Sequence, residues 1–176
     1  FNGCSSLTSV RIPESVTSIG NETFRGCSSL TSITIPATLK TVSTESWSGA
    51  YRGPFYKCNE LETVTFEEGM TAIPQYLMKD CTGLKTINWA STITSIGEYA
   101  FSSCTGLEEV VIPGGIATIG NNAFSYCTGL TSVTFPVSVT KIDRHAFRNC
   151  SNLSSVTLPE KLEQLNGCAF SDTALT

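Results

Sequence analysis

The sequence is poor in charge, and the charge that it has carries no basic excess. Charged residues make up 15% of the 176 residues, against roughly a quarter in an ordinary globular domain. The formal net charge is −4 at pH 7. A protein that binds nucleic acid or an anionic membrane by electrostatics needs a basic stripe or patch. Because no such stripe is present, we expect no nucleic-acid partner.

Long apolar runs are also lacking. A membrane-spanning helix needs about 18 or more consecutive apolar residues, and no stretch of the sequence provides them. We therefore predict no direct insertion into a membrane.

No cluster of residues that could carry catalysis is present in the sequence. His145 is the only histidine, and no nucleophile or carboxylate accompanies it at a meaningful spacing, so we interpret it as a surface residue. No C-x₂-C pair marks a zinc site. The sequence therefore predicts no enzyme, no metal and no cofactor. An enzyme would instead require a cleft with convergent titratable groups.

Cysteine is abundant and periodic. Seven cysteines follow one another at intervals of 23 residues, with one interval of 31: Cys4, Cys27, Cys58, Cys81, Cys104, Cys127 and Cys150. The long interval equals one period plus an eight-residue insertion. A fixed period of this length indicates a solenoid built from stacked repeats. Each unit would form one coil, and the units are 1–23, 24–54, 55–77, 78–100, 101–123, 124–146 and 147–169.

The repeat units account for the whole sequence and leave no linker and no region of different composition. We therefore predict a single domain over residues 1–176. Phe1 begins within the repeat pattern, and residues 170–176 break off inside an eighth unit. Neither end carries the polar cap that closes a solenoid. We therefore expect a fragment of a longer repeat protein.

Each unit predicts two short extended segments and a turn. In the second unit, Leu30-Thr-Ser-Ile-Thr-Ile35 alternates apolar and polar residues as a short strand does, and the first unit has its equivalent from Leu7. Proline follows in five of the seven units and ends the strand. A second short strand comes next, and the stretch before the aromatic residue predicts a 3₁₀-like turn. About eight side chains per coil would point inward, so only stacking can bury them. The predicted fold is mainly β, with a parallel ladder of about seven coils.

These residues carry a family resemblance. Residues 112–134, Ile-Pro-Gly-Gly-Ile-Ala-Thr-Ile-Gly-Asn-Asn-Ala-Phe-Ser-Tyr-Cys-Thr-Gly-Leu-Thr-Ser-Val-Thr, closely resemble the BspA-type leucine-rich repeat. The match repeats in phase along the chain. The resemblance implies a leucine-rich-repeat solenoid, a secreted or cell-surface location, and adhesion to host matrix proteins or other microbes. It implies no catalytic residues.

The seven periodic cysteines would form a ladder of thiols along the solenoid. Adjacent thiols about 4.8 Å apart with parallel side chains suit a disulfide only after distortion, and one cysteine per coil cannot surround a zinc ion. We therefore interpret them as buried free thiols that pack as small hydrophobes. Cys168 falls outside this register and is the thiol that we expect to be exposed and reactive.

Two surfaces are candidates for partner binding. The outward-facing strand positions form one stripe, with candidate binding residues Thr34, Thr65, Asn88, Glu109 and Thr134. Small and β-branched polar residues are equally what a solvated sheet tolerates. The insertion, residues 43–54, adds Trp47, Tyr51 and Arg52, which are types enriched at binding hot spots. The alternative is that the two aromatic residues fold down over an irregular part of the core.

The repeat fold, the family resemblance and the two candidate surfaces together predict a function. The leading hypothesis is a non-catalytic recognition or adhesion module of a secreted or surface protein. It would bind a protein or glycan, such as host extracellular matrix, through the strand face and the 43–54 loop. The alternative is a rigid spacer that presents another domain. We favour a monomer.

Overall fold

The structure is a computed structural model that describes residues 1–43 and 51–176. Within these residues it contains short strands and turns and no helix. The strands are β1 (Ser18–Ile19), β2 (Ser32–Ile35), β3 (Thr41–Val42), β4 (Thr63–Phe66), β5 (Ala72–Ile73), β6 (Thr86–Asn88), β7 (Ser95–Ile96), β8 (Glu109–Val111), β9 (Thr118–Ile119), β10 (Ser132–Thr134), β11 (Lys141–Ile142), β12 (Ser155–Val156) and β13 (Gln164–Leu165). All of their pairings are parallel.

The strands form two rows along the solenoid, one for each extended segment of the repeat. Thr63 of β4 lies opposite Thr86 of β6, and Ser95 of β7 lies opposite Thr118 of β9, each pair one 23-residue period apart. Across the insertion the register is longer, because Ser32 of β2 lies opposite Thr63. The predicted fold class, a parallel leucine-rich-repeat solenoid, is confirmed.

Neither row is continuous, however. The first row consists of two separate three-stranded sheets, β2-β4-β6 and β8-β10-β12. The second row consists of β1-β3 and the five-stranded sheet β5-β7-β9-β11-β13. The second row is interrupted where the insertion enters, while the first is interrupted between the fourth and fifth coils. The first coil also differs from prediction, because residues 7–12 form no ladder strand.

The inward positions of the repeat build one core. In the fifth coil all eight are at most 3% exposed: Phe101, Cys104, Leu107, Val110, Ile112, Ile116, Ile119 and Ala123. The aromatic position stacks from coil to coil. The ring centroids of Phe101 and Phe124 lie 5.1 Å apart, and those of Phe124 and Phe147 lie 5.3 Å apart. This spacing is close to the strand spacing of a parallel ladder, so ring stacking and backbone pairing reinforce one another.

The segment before each cysteine is not the predicted 3₁₀-like turn. Where the fourth coil passes into the fifth, the amides of Ala100, Ser102 and Cys104 each donate to the carbonyl three residues earlier, while the amides between them donate to the next coil. Tyr99 and Ser103 reach this alternation with φ near +53° and +62°. Other coils have the same two left-handed positions, usually without glycine. Pairing with the next coil explains why this strained backbone persists.

Candidate functional site

The outward-facing residues of the first row lie on two sheets. Thr34, Thr65 and Asn88 are direct neighbours in the register of β2, β4 and β6. Glu109 lies on β8 beside Ser132, while Thr134 of β10 lies beside Val111. The structure therefore brings together the first three candidate residues. It places Glu109 and Thr134 beyond the interruption, where they occupy different positions across the sheet.

Few side chains on this face are tied to one another. Asn88 Nδ2 donates to Thr65 Oγ1 at 3.0 Å, and Lys85 Nζ lies 2.6 Å from Glu62 Oε1 in an exposed ion pair. Hydrogen bonding by the Glu62 carboxylate raises the pKa of Lys85. Glu109 is exposed and makes no side-chain hydrogen bond or ion pair within the described residues. It is therefore available to an external partner.

A cleft marks the interruption between β6 and β8. It has a volume of about 390 Å³, and we call it the β6–β8 cleft; its lining residues are Lys85, Thr86, Ile87, Trp89, Glu109, Val110, Val111 and Pro113. A second cavity of about 300 Å³ adjoins it and shares Lys85 and Glu109. Between the next two coils, the amide of Thr131 donates to the carbonyl of Glu108 at 2.8 Å. The equivalent bond, from the amide of Glu108 to the carbonyl of Lys85, is absent from the described chain.

The cleft exposes residues that other coils bury. Ile87 and Trp89 occupy inward positions but are only partly buried, whereas the equivalent Val64 and Val110 are 0% and 3% exposed. The Trp89 ring meets the Phe101 ring edge-on, with centroids 5.6 Å apart. Three other coils have isoleucine at the position of Trp89. An indole does not fit the same interval between coils, so it holds the two strands apart.

The insertion places its described residues on another side of the coil. The Tyr51 ring stacks on Tyr76 at 6.0 Å, and Tyr76 stacks on Tyr99 at 5.1 Å. The Arg52 guanidinium lies over the ring of Tyr56 at 4.4 Å and 3.6 Å from a carboxylate oxygen of Glu22. These contacts are with the turn segments, not with the strand face. The strand face and the end of the insertion are therefore separate surfaces. Trp47 lies outside the described residues.

Burial of these aromatic residues is partial. Tyr51 is 55% exposed, while Tyr76 is half-buried. Desolvation raises the pKa of Tyr76, and Glu98, Tyr99 and Tyr51 add to the effect. The neighbouring Gly53 is buried, and a Cβ there would overlap the backbone of Lys79. The end of the insertion is thus packed against the fourth coil, while the Tyr51 ring stays accessible.

The thiol ladder lies in the core, with one departure. Six of its seven cysteines are buried, and all eight cysteines of the chain are free. Cys4 is exposed, because no coil of the structure is stacked over it. The buried thiols do not only pack as small hydrophobes; they also donate hydrogen bonds. The sulfur of Cys104 donates to the carbonyl of Met78 at 3.2 Å, and Cys127 donates likewise to Phe101. Each such bond ties one coil to the coil before it.

Burial makes these thiols hard to ionise. It raises the pKa of Cys58 to about 11 and that of Cys150 to about 12. Desolvation also raises the pKa of the thiols between them, Cys81, Cys104 and Cys127, well above the ordinary value. Because the thiolate is the reactive form, buried ladder thiols are inert at neutral pH. Cys168 is exposed, at a left-handed position with φ near +62°.

No catalytic arrangement stands out in the part of the chain that the structure describes. No three His, Cys, Asp or Glu side chains come together there as metal ligands. His145, predicted to be a surface residue, is half-buried in a left-handed turn with φ near +59°. Residues 1–43 and 51–176 also contain no helix that is long and apolar enough to cross a membrane.

Comparison with known proteins agrees with the repeat geometry. The sequence profile of the BspA type leucine rich repeat region matches in six copies, over residues 1–52 and 51–176. The chain belongs to the BspA-type leucine-rich repeat family. No curated protein matches it.

Solved structures of bacterial leucine-rich repeat proteins share the solenoid. A leucine rich cell surface protein from Faecalibacterium prausnitzii is 32% identical with a TM-score of 0.70, over 92% of this chain and 42% of that one. A leucine-rich repeat protein from Eubacterium ventriosum is 28% identical with a TM-score of 0.67, over 85% and 45%. The leucine rich repeat protein of T. pallidum is 27% identical with a TM-score of 0.70, over 90% and 73%. This BspA-type chain thus spans less than half the length of the first two.

Sequence reasoning missed the cleft residues Ile87, Trp89 and Lys85 of this BspA-type chain. One signal was available: Trp89 stands where Ile12, Ile35 and Ile112 stand in other coils. Such a substitution by a larger residue at an inward position predicts overpacking. The repeat pattern does not predict which part of the backbone moves to accommodate the larger side chain.

Proposed function

We infer that this chain is a non-catalytic recognition module of a cell-surface or secreted protein, which binds a protein or glycan partner through its strand face. The observation that carries this proposal is the β6–β8 cleft beside the free carboxylate of Glu109. Val111, at the edge of the same cleft, is 64% exposed. A concave site with an apolar lining and a few polar groups is typical of a binding surface.

The surface location is supported by relatives. The Faecalibacterium prausnitzii protein is described as a leucine rich cell surface protein. Solenoids commonly bind partners along an extended face. The Tyr51 and Arg52 surface would then be a second contact area, separate from the strand face.

A rigid spacer is the alternative, and one observation favours it. The second row forms a five-stranded ladder from β5 to β13, and the Phe column stacks beside it from Phe101 through Phe147. A stiff rod of this kind would serve to hold another domain away from a surface without any ligand of its own.

Capture of the chain on an array of immobilised glycans and extracellular-matrix proteins separates the two. Thr34→Glu and Thr134→Glu place charge on exposed strand-face positions, and Tyr51→Ala removes the accessible ring of the turn side. The matched control is Ala72→Glu, an exposed position of the second row. We expect the strand-face variants to lose capture and the control to retain it. Capture that no variant changes, or no capture at all, would support the spacer.

A further inference from the structure

The β6–β8 cleft is local, and its closed ends limit what can enter it. On one side, Gly106 packs so tightly on the fourth coil that a Cβ there would lie 2.8 Å from the carbonyl oxygen of Thr82. On the other side, the amide of Ala117 bonds the carbonyl of Thr94 at 2.8 Å, and β7 pairs with β9. The strands therefore separate only over a few residues. A peptide strand added along the whole edge would not fit, so the occupant must be compact.

The walls of the cleft are amphipathic. Ile87 and Trp89 supply an apolar floor that is open to solvent. Around it stand the Thr86 hydroxyl and the Glu109 carboxylate. The carbonyl of Lys85 in the cleft and the amide of Glu108 in the adjoining cavity add an acceptor and a donor, because their ladder bond is missing in the described chain. A purely apolar side chain bound here would leave these polar groups without partners, at a cost in affinity.

Charge argues against an anionic occupant. The only cation that lines the cleft, among described residues, is Lys85, and Glu62 already holds its ammonium group at 2.6 Å. Glu109 offers acceptor oxygens without a fixed counter-ion. This combination suits a ligand that donates several hydrogen bonds and carries no negative charge.

We propose that the β6–β8 cleft is a carbohydrate subsite that takes one neutral pyranose ring. Such a ring has an apolar C–H face for the indole of Trp89, and its hydroxyl groups both donate and accept hydrogen bonds. Glu109 accepts hydrogen bonds from one or two ring hydroxyls. The Lys85 carbonyl accepts another, and the Glu108 amide donates one from the adjoining cavity. The cavity of about 390 Å³ is large enough for one sugar residue of a longer glycan. This assignment rests on the proposed recognition function and names the ligand class of its strand face.

The test is an NMR titration of the ¹⁵N-labelled chain that follows the indole N–H signal of Trp89. The probes are methyl β-D-glucopyranoside, methyl β-D-galactopyranoside and N-acetylglucosamine, with N-acetyl-leucinamide and N-acetyl-phenylalaninamide as peptide-like comparators. We expect at least one saccharide to shift the Trp89 signal with a Kd on the order of 1 mM, as befits a ligand of roughly a dozen heavy atoms. The two amides should shift it less.

Three variants make the test specific. Glu109→Gln changes an exposed side chain, so the fold is retained, and it should weaken saccharide binding by about tenfold through loss of a charge-assisted hydrogen bond. Trp89→Ile introduces the residue of three other coils and should abolish binding, as read by saturation transfer to the saccharide. Phe135→Ile alters a separate cavity, lined by Val133 and Leu158 among others, and should leave binding unchanged.

Two results would overturn the assignment. One is a Trp89 signal that no saccharide moves, whether or not the amides move it. The other is saccharide binding that Glu109→Gln and Trp89→Ile leave intact. The recognition function is judged separately by the array: capture that depends on Thr34 and Thr134 would survive the failure of the subsite, whereas capture that no strand-face change affects would not.

Discussion

Trp89 and Phe101 meet edge-on across the boundary between the fourth and fifth coils, with ring centroids 5.6 Å apart. Phe135 of the sixth coil meets Phe147 of the seventh in the same edge-on way, with ring centroids 5.7 Å apart. Both places adjoin a cavity on the strand face. Phe66 has the same position in the third coil but is 3% exposed, and there the next coil offers the flexible Met78 instead of a phenylalanine. The ladder is interrupted beside Trp89, whereas β10 and β12 remain paired beside Phe135.

Trp89→Ile should therefore close the β6–β8 cleft. With the indole removed, the Glu108 amide can bond the Lys85 carbonyl as Thr131 bonds Glu108. We expect hydrogen exchange at the Glu108 amide to slow on the order of a hundredfold, since a ladder bond protects an amide until local opening. Phe135→Ile is the matched control and should leave exchange at Glu108 as it was. Unchanged exchange in Trp89→Ile would show that the indole does not hold the strands apart.

Close backbone approach predicts the effect of adding one methyl group. A Cβ on Gly97 would lie 2.5 Å from the Ile73 carbonyl oxygen and 2.8 Å from the Gln75 amide nitrogen. Gly97→Ala should therefore lower the free energy of unfolding by about 1–3 kcal/mol, as overpacking does. Gly114 has no atom within 4 Å of the equivalent position, so Gly114→Ala should change it by less than about 1 kcal/mol. Equal effects in urea denaturation would refute the steric explanation.

Thiol reactivity should divide the eight cysteines into two classes. Cys4 and Cys168 are exposed, and the other six are buried. In the native chain at pH 8, we expect a disulfide reagent that releases a coloured thiolate to modify two cysteines quickly and the remaining six only after unfolding. Cys168→Ser should reduce the fast class to one. Rapid modification of three or more thiols in the wild-type chain would contradict the buried ladder.

Stability should fall at alkaline pH because of the same ladder. The unfolded thiol has a pKa of 9.0, while burial raises that of Cys58 to about 11 and that of Cys150 to about 12. Above pH 9 the unfolded chain releases these protons and the folded chain keeps them. The stabilisation, complete below pH 9, is therefore lost as pH rises toward 11–12, by up to about 1.4 kcal/mol per pH unit for each thiol.

Urea denaturation between pH 8 and pH 10.5 in the presence of a reductant measures this loss. Cys150→Ala should flatten the dependence on pH, although it lowers stability at pH 8 by removing packing and the bond to the Phe124 carbonyl. Cys168→Ser, which removes an exposed thiol outside the ladder, is the control variant. If Cys150→Ala and the wild type have the same slope, ionisation of Cys150 does not contribute.

The sequence by itself determined the period, the fold class and nearly all of the core. Spacing alone identified Cys104, Leu107 and Val110 as inward residues, because a solenoid repeats the environment of each position from coil to coil. The turn before the cysteine was less predictable. Its left-handed residues, such as Tyr99 and Ser103, are not glycines, and only their bonds to the next coil explain their backbone.

Tertiary structure alone decided where the regularity ends. The substitution at Trp89 was visible in the sequence, but the edge-on contact of its indole with Phe101 and the interruption of the ladder beside it were not. The sequence identified Tyr51 and Arg52 as candidate residues. Only their contacts with Tyr76, Tyr56 and Glu22 show on which side of the coil they lie. A repeat pattern specifies what each coil shares. The contacts between unlike residues of adjacent coils, which no periodicity encodes, determined the candidate site.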